Sequence, residues 1–425
     1  MTSLFPKPRL LIVGAGELGA TAAAEALASG NYDVTILDRA PSIPAVDAAS
    51  TDINKAVRFD YADEDYAKLA KESMRLWKQD KWRGAYRESG VVFRNISEEF
   101  PESIAVYNNA AKLEPRVRLL TTREEVSKAL SPSGGAKLGA PTLAAKAYFN
   151  PSGGWVHASG AMSVVYDDIK RLGGTLVPGA ELALLIIENG DVRGVKCADG
   201  REFHGDKVIL ALGSWTGGHP ALKGVVPEGL MVPTGQTIAA VQLSKDEYER
   251  YKDLRVVSFL DGSGFYCFPV SPGTLSHADW QPTPDGIMKF ALHSGGYVNE
   301  ANKPRTAGDS DAVAYADEKR VGWIPSDSFR FMRSNDFVID YTKYPNLMVA
   351  SGGAGHAFKF LPVMGSIILA RLEARLSPQL AHKWRLDRPV VEFQGKDRGG
   401  IPRAPLVLEN LVSTEELGPE RQAKL

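Results

Sequence analysis

Three lysines sit in unexpectedly apolar company. In "GIMKFALHSGG", the two-residue alternation of a strand puts Met288, Phe290 and Leu292 on one face. Lys289, Ala291 and His293 fall on the other. Lys359 stands between phenylalanines in "HAFKF", just after a glycine turn, where a solvated lysine is hard to account for. Lys55 and Arg58 in "NKAVR" are spaced to share one side of a helical turn. Fixed cations of this kind orient carboxylates or stabilise negative charge as it develops. Arg398 and Arg403 in "KDRGGIPR" are further cations that could close a site from the tail. The seven histidines are scattered and give no zinc spacing.

A second pattern is Gly14-x-Gly16-x-x-Gly19, between the strand-like "RLLIV" and the alanine-rich "GATAAAEALASG". Gly14 permits the tight turn, Gly16 lets a pyrophosphate approach the backbone, and Gly19 lets the helix pack on the strand. Asp38 ends the next strand, 19 residues after Gly19, where it can accept hydrogen bonds from a ribose. An acid there disfavours the 2'-phosphate of NADP. NAD and FAD share the adenosine diphosphate half, so this motif does not separate them. Gly352, Gly353 and Gly355 form another glycine-rich strand end far along the chain, which suits a long cofactor held at both ends.

These residues need elements to position them. The opening reads as a βαβ unit. Residues 64–80 fit an amphipathic helix, and Thr121 or Thr122 before Glu124 and Glu125 marks a helix start. "HASGAMSVVYDDIKRLGG" is a helix ended by Gly173 and Gly174, and Asn189-Gly190 is a hairpin turn. From about 227 to 300, strand-like runs between Gly/Pro turns suggest an antiparallel sheet and a second domain.

The chain has 425 residues, 44% of them hydrophobic and 24% charged, which is ordinary for a globular protein with a large core. A net charge of −1 provides no global attraction to nucleic acid or anionic lipid. Cys197 and Cys267 make no disulfide framework and point to a reducing compartment. No convincing signal peptide opens the chain, and no apolar run is long enough to span a membrane. Ala423-Lys424-Leu425 resembles the peroxisomal Ser-Lys-Leu address, so an import receptor is an expected partner, with the cytoplasm as the other location.

Taken in order, "LLIVGAGELGATAAAEAL", "DINKAVRFDYAD", "GGWVHASGAM", "VILALGSWT", "GIMKFALH", "DFVIDY" and "GGAGHAFKFLPVMG" resemble the sarcosine oxidase group of flavin amine oxidases. Within that group the chain is most similar to the fungal fructosyl amino acid oxidases, or amadoriases, over about residues 9–385. The resemblance implies an α/β fold: a Rossmann-like FAD domain of the glutathione-reductase/D-amino-acid-oxidase type and a second domain built on a mixed or antiparallel sheet. The expected FAD domain is discontinuous, from 1–85, 145–225 and 320–388. The substrate domain is 86–144 and 226–319, with an irregular tail over 389–425. The implied reaction oxidises a secondary amine beside a carboxylate, giving an imine and hydrogen peroxide.

The resemblance also assigns roles. Lys289 lies against the flavin and promotes its reaction with oxygen, with His293 on the substrate side and Lys55 near the ring. Lys359 holds the substrate carboxylate, and Arg58 contacts substrate or flavin. Gly14, Gly16, Gly19, Asp38, Gly213, Gly355, His356 and Lys359 contact the cofactor. Many relatives bind FAD through a cysteine placed before a tryptophan. Here Gly322 precedes Trp323 and no cysteine follows Cys267, so non-covalent FAD is expected. A monomer is expected. Competing readings are an oxidase of sarcosine, pipecolate, saccharopine or an N-methyl intermediate, a flavin dehydrogenase that reacts poorly with oxygen, and a non-enzymatic dinucleotide-binding scaffold.

Overall fold

The computed structural model describes residues 6–46, 48–82, 84–134, 146–233, 238–260, 264–268, 286–292, 297–298, 321–322, 330–332, 336–389 and 404–405. The alternation of small and branched apolar residues near the N-terminus builds β1 (Arg9–Val13), α1 (Glu17–Ser29) and β2 (Asp33–Leu37). β1 pairs in parallel with β2 on one side and with Lys207–Leu210 on the other. Among the described residues this sheet has six strands, in the order Val338–Tyr341, Leu347–Ser351, Lys207–Leu210, β1, β2, Thr175–Val177. All its pairings are parallel except the one made by the edge strand Val338–Tyr341.

Helix α1 is small enough to be gripped closely. A Cβ on Gly365, in the helix Leu361–Leu372, would lie 2.3 Å from the Thr21 carbonyl oxygen of α1, so these helices meet backbone to backbone. The core on this side includes Leu10, Ile12, Ala23, Ile36, Ile209 and Ile368.

The second sheet has eight strands and is mixed. Ile238–Gln242, Ile287–Leu292, Phe265–Phe268 and Val256–Phe259 run antiparallel to one another, and Val256–Phe259 then pairs in parallel with Val91–Arg94. Ala147–Asn150 and Val321–Gly322 also belong to this sheet, although the expected boundaries place them with the first domain. The reason is pairing: Ala147–Asn150 takes its antiparallel register from Val91–Arg94, which a count along the chain does not reveal.

The local signals are present. Helix α2 is Glu64–Trp77, its N-terminus capped by the Asp63 carboxylate. Thr122 and Glu125 form a reciprocal capping box. Asn189 and Gly190 take φ of 53° and 83° in the turn between Leu182–Glu188 and Asp191–Cys197. One expectation is overturned. Lys55 lies in an extended strand, β3 (Lys55–Val57), not a helical turn, because β3 pairs antiparallel with Gly154–Val156. Among the described residues no helix is long and apolar enough to cross a membrane.

Candidate active site

A single cavity runs from the first glycine turn, past the C-terminal ends of the parallel strands, to the face of the eight-stranded sheet. Its wall at one end holds Gly14, Gly16 and Asp38, and at the other Lys289 and Lys359. The three glycines differ in purpose. A Cβ on Gly14 would fall 2.2 Å from the Ala211 carbonyl oxygen, and one on Gly19 would fall 1.9 Å from the Gly14 carbonyl oxygen. Both are glycine because backbone crowds them. At Gly16 only Ser50 Oγ, at 3.8 Å, would come within 4 Å, so the backbone there faces open space. Asp38 holds this turn together. Its Oδ2 accepts from the Ala15 amide at 2.8 Å and its Oδ1 from the Ala40 amide at 2.9 Å. Each oxygen retains a lone pair for a ribose hydroxyl.

The walls fit a polar ligand. The Ser50 hydroxyl and both ends of the Asn54 side-chain amide are buried without a hydrogen-bond partner, and both residues line the cavity. An unpaired buried polar group costs about 1–3 kcal/mol. A cofactor with donors and acceptors along its length relieves that cost. At the far turn, Gly352, Ala354 and Gly355 all take positive φ, which tightens the chain ahead of Lys359. Gly213 and Gly355 both line the cavity. Arg39 lies 4.3 Å from the Trp215 ring centroid, and both side chains form part of the same wall.

The predicted cations converge. Lys289 is 1% exposed, and its Nζ donates to Asp52 Oδ2 at 2.5 Å and to the Asn54 carbonyl at 3.1 Å. Lys55 Nζ donates to the same Asp52 oxygen at 2.9 Å. Burial works to raise the Asp52 carboxyl, but the charges of Lys289 and Lys55, and their hydrogen bonds, hold it well below the usual carboxylate range. Lys359 is also buried; its Nζ donates to the His356 carbonyl at 3.0 Å and lies 5.4 Å from the Tyr61 ring centroid. The Lys359 carbonyl is itself pinned by Ser73 Oγ at 2.6 Å and Trp77 Nε1 at 2.8 Å, both from α2. His356 pairs its Nδ1 with the Tyr61 hydroxyl at 3.0 Å, an arrangement that suits a supporting residue of the wall. Arg58 lines the cavity, donates to the Asp60 carbonyl and lies 5.2 Å from the Tyr61 ring centroid.

Two acids escaped the sequence reading. Asp52 lies three residues before Lys55, a visible signal for their pairing, but nothing in the sequence links it to Lys289. Glu17 opens α1 inside the glycine motif and lines the cavity, its Oε1 3.3 Å from where a Cβ on Gly353 would lie. Burial pushes its carboxyl up to about 7, against the pull of Lys55 and Lys359. His293, Trp323, Arg398, Arg403 and Ala423-Lys424-Leu425 lie outside the described residues. Neither cysteine lines the cavity. Cys267 faces away from it, because alternation along Phe265–Phe268 gives the cavity face to Tyr266 and Phe268. Burial raises its thiol to about 12. Among the described residues no cluster of His, Cys, Asp and Glu could hold a metal ion.

Comparison with known proteins agrees with this cavity. The DAO model, described as FAD dependent oxidoreductase, matches residues 9–371. L-saccharopine oxidase of Schizosaccharomyces pombe is 26% identical, over 88% of this chain and 92% of that protein. Peroxisomal sarcosine oxidase of Homo sapiens is 23% identical, over 87% of this chain and 92% of that protein. The structure of fructosyl peptide oxidase from E. terrenum superposes with a TM-score of 0.79 at 22% identity, covering 94% of this chain and 96% of that one, a likeness of fold.

Proposed function

Since the chain belongs to the DAO family of FAD dependent oxidoreductases, we propose that it is an oxidase of N-substituted amino acids, with a fructosyl amino acid or peptide as the substrate and hydrogen peroxide as a product. The observation that carries this reading is a set of cations, the buried Lys289 and Lys359 and the partly buried Lys55, in the wall of one cavity that also holds the dinucleotide turn. FAD, when bound, supplies a two-electron acceptor for the carbon–hydrogen bond beside the amine nitrogen.

The chain's own residues do the rest. Lys359 and Arg58 receive the carboxylate and fix the reacting carbon. The rigidity of Lys359 comes from the bonds of α2 to its carbonyl, so orientation costs little at the moment of binding. Tyr266 and Phe268 also line the cavity and help to exclude water. Lys289 carries a positive charge, in a place poor in water, toward the point where dioxygen takes up electrons. The imine is released and hydrolysed, giving the free amino acid and, from a fructosyl substrate, glucosone. The cofactor is held without a bond to cysteine, a reading supported by Cys267, which is packed in a core cluster away from the cavity, and by the absence of any later cysteine.

Saccharopine is a second reading. Five lysine and arginine side chains line the cavity, Arg39, Lys55, Arg58, Lys289 and Lys359, which suits a substrate with several carboxylates. The fission-yeast relative is an oxidase of that compound by name. A peroxisomal location is also part of this proposal; a relative carries that location in its name, and imaging of a tagged chain with and without residues 423–425 tests it.

The deciding experiment adds fructosyl valine, fructosyl lysine, saccharopine and sarcosine to the yellow protein without oxygen. Bleaching by a fructosyl amino acid, then recovery of colour and formation of peroxide in air, is the expected result. Bleaching by saccharopine alone selects the second reading. Bleaching without recovery in air makes the protein a dehydrogenase. No bleaching by any amine ends the proposal. Lys289→Met should leave bleaching nearly intact and slow recovery at least tenfold.

A further inference from the structure

Lys289 and Lys55 converge on the carboxylate of Asp52, through the same oxygen, at 2.5 and 2.9 Å. It comes from the loop before β3, whereas Lys289 comes from the eight-stranded sheet. Its position is fixed from a third side: its carbonyl accepts from the Ser159 amide and hydroxyl, both at 3.1 Å, at the start of the helix Ala158–Arg171. The backbone of Asp52 is thereby tied to a helix terminus, and its other carboxylate oxygen, Oδ1, accepts from the Ile53 amide at 2.7 Å.

We propose that Asp52 is a positioning residue that keeps Lys289 and Lys55 protonated and fixed as one cluster. Two ammonium groups bonded to one oxygen repel each other, and in a buried site that repulsion is screened little. The carboxylate between them makes the double protonation tolerable. The inference rests on the proposed function only for its consequence, that the ammonium held in this cluster is what dioxygen meets. The charge on Lys289 is accordingly a property of three residues rather than one.

The other groups facing the cluster do not mimic it. His157, capping the Ala158–Arg171 helix, is neutral above about 4, because burial lowers it despite the nearby Asp52. Glu17 on α1 titrates near 7 beside Lys55 and Lys359. Its carboxyl answers to the charge of Lys55, so the comparison of wild type with Asp52→Asn is repeated in a Glu17→Gln background, where that titration is removed.

The test uses Asp52→Asn, which keeps shape and an accepting oxygen, and Asp52→Glu, which keeps charge. Competitive acylation with acetic anhydride, read by mass spectrometry on the peptides containing Lys289 and Lys55, reports each lysine's protonation without reference to turnover or to FAD. Loss of an adjacent opposite charge moves an ionisable group by about one to three pH units. In Asp52→Asn, acylation of at least one of the two lysines should begin about that much lower in pH, and Asp52→Glu should restore the wild-type curve. In the loaded enzyme, recovery of flavin colour in air should fall about tenfold below wild type at pH 9 and match it near pH 6.5, while anaerobic bleaching changes less. Identical labelling in wild type and Asp52→Asn, absence of label in both included, overturns the proposal. So does an Asp52→Asn protein that loses FAD and melts early with its lysine labelling unmoved. A labelling shift with unchanged recovery in air supports the cluster and removes the oxygen role assigned to Lys289.

Discussion

The site is made of side chains whose charge is set by neighbours. Lys359 is one case, a buried ammonium that donates to the His356 carbonyl in the wall of the cavity. Replacing it with methionine removes the charge-assisted contact proposed for the substrate carboxylate, worth about 1.5–3 kcal/mol. Lys359→Met should therefore lower kcat/KM roughly ten- to hundredfold, mostly through KM, in steady-state assays of peroxide formation. Glu17 gives a pH effect of definite sign. Its carboxyl is raised from 4.5 to about 7 in the folded chain. Between those values the unfolded chain gives up the proton first, so stability of the cofactor-free protein falls as pH rises, by about 1–3 kcal/mol, and levels off above the upper value. Urea melts from pH 4 to 8 should show that slope in wild type and lose it in Glu17→Gln. At this scale the sequence showed the lysines, because a charge in an apolar run is conspicuous. It hid Asp52 and Glu17, because an acid in a polar loop or a helix's first turn looks ordinary.

At the level of elements, turn and cap chemistry was legible and long-range pairing was not. The Thr122–Glu125 box and the Asn189-Gly190 turn are set by residues within a few positions of each other. The strand β3 was misread because its extended form is imposed by Gly154–Val156, about a hundred residues away along the chain. The parallel pairing of Val256–Phe259 with Val91–Arg94 is equally nonlocal. Two substitutions separate local from site-bearing structure. Thr122→Ala removes a cap remote from the cavity and should cost about 1 kcal/mol in chemical denaturation, with FAD content unchanged. Gly19→Ala forces a Cβ to 1.9 Å from the Gly14 carbonyl oxygen. It should displace α1 from the turn, cost several times as much, and leave the purified protein colourless.

For the whole molecule, the cavity draws its walls from both large sheets and from segments that span Val13 to Lys359. A ligand filling it ties those segments together and binds only the folded chain. Stability should then rise with free FAD by mass action, by about 2.7 kcal/mol at a hundredfold excess over Kd. Melting curves across an FAD titration should move upward as single transitions. Two separate transitions, only one of them responsive to FAD, would show that the sheets unfold independently.

The partners Asp52 and Lys289 stand 237 positions apart. A chain emerging from the ribosome exposes the acid and Lys55 long before the third member is made, and the Lys359 turn follows later still. A nascent polypeptide halted before that turn has an unfinished pocket with a mismatched interior. Vitamin capture thus belongs after translation nears its end, and cells starved of riboflavin should accumulate complete but protease-sensitive chains.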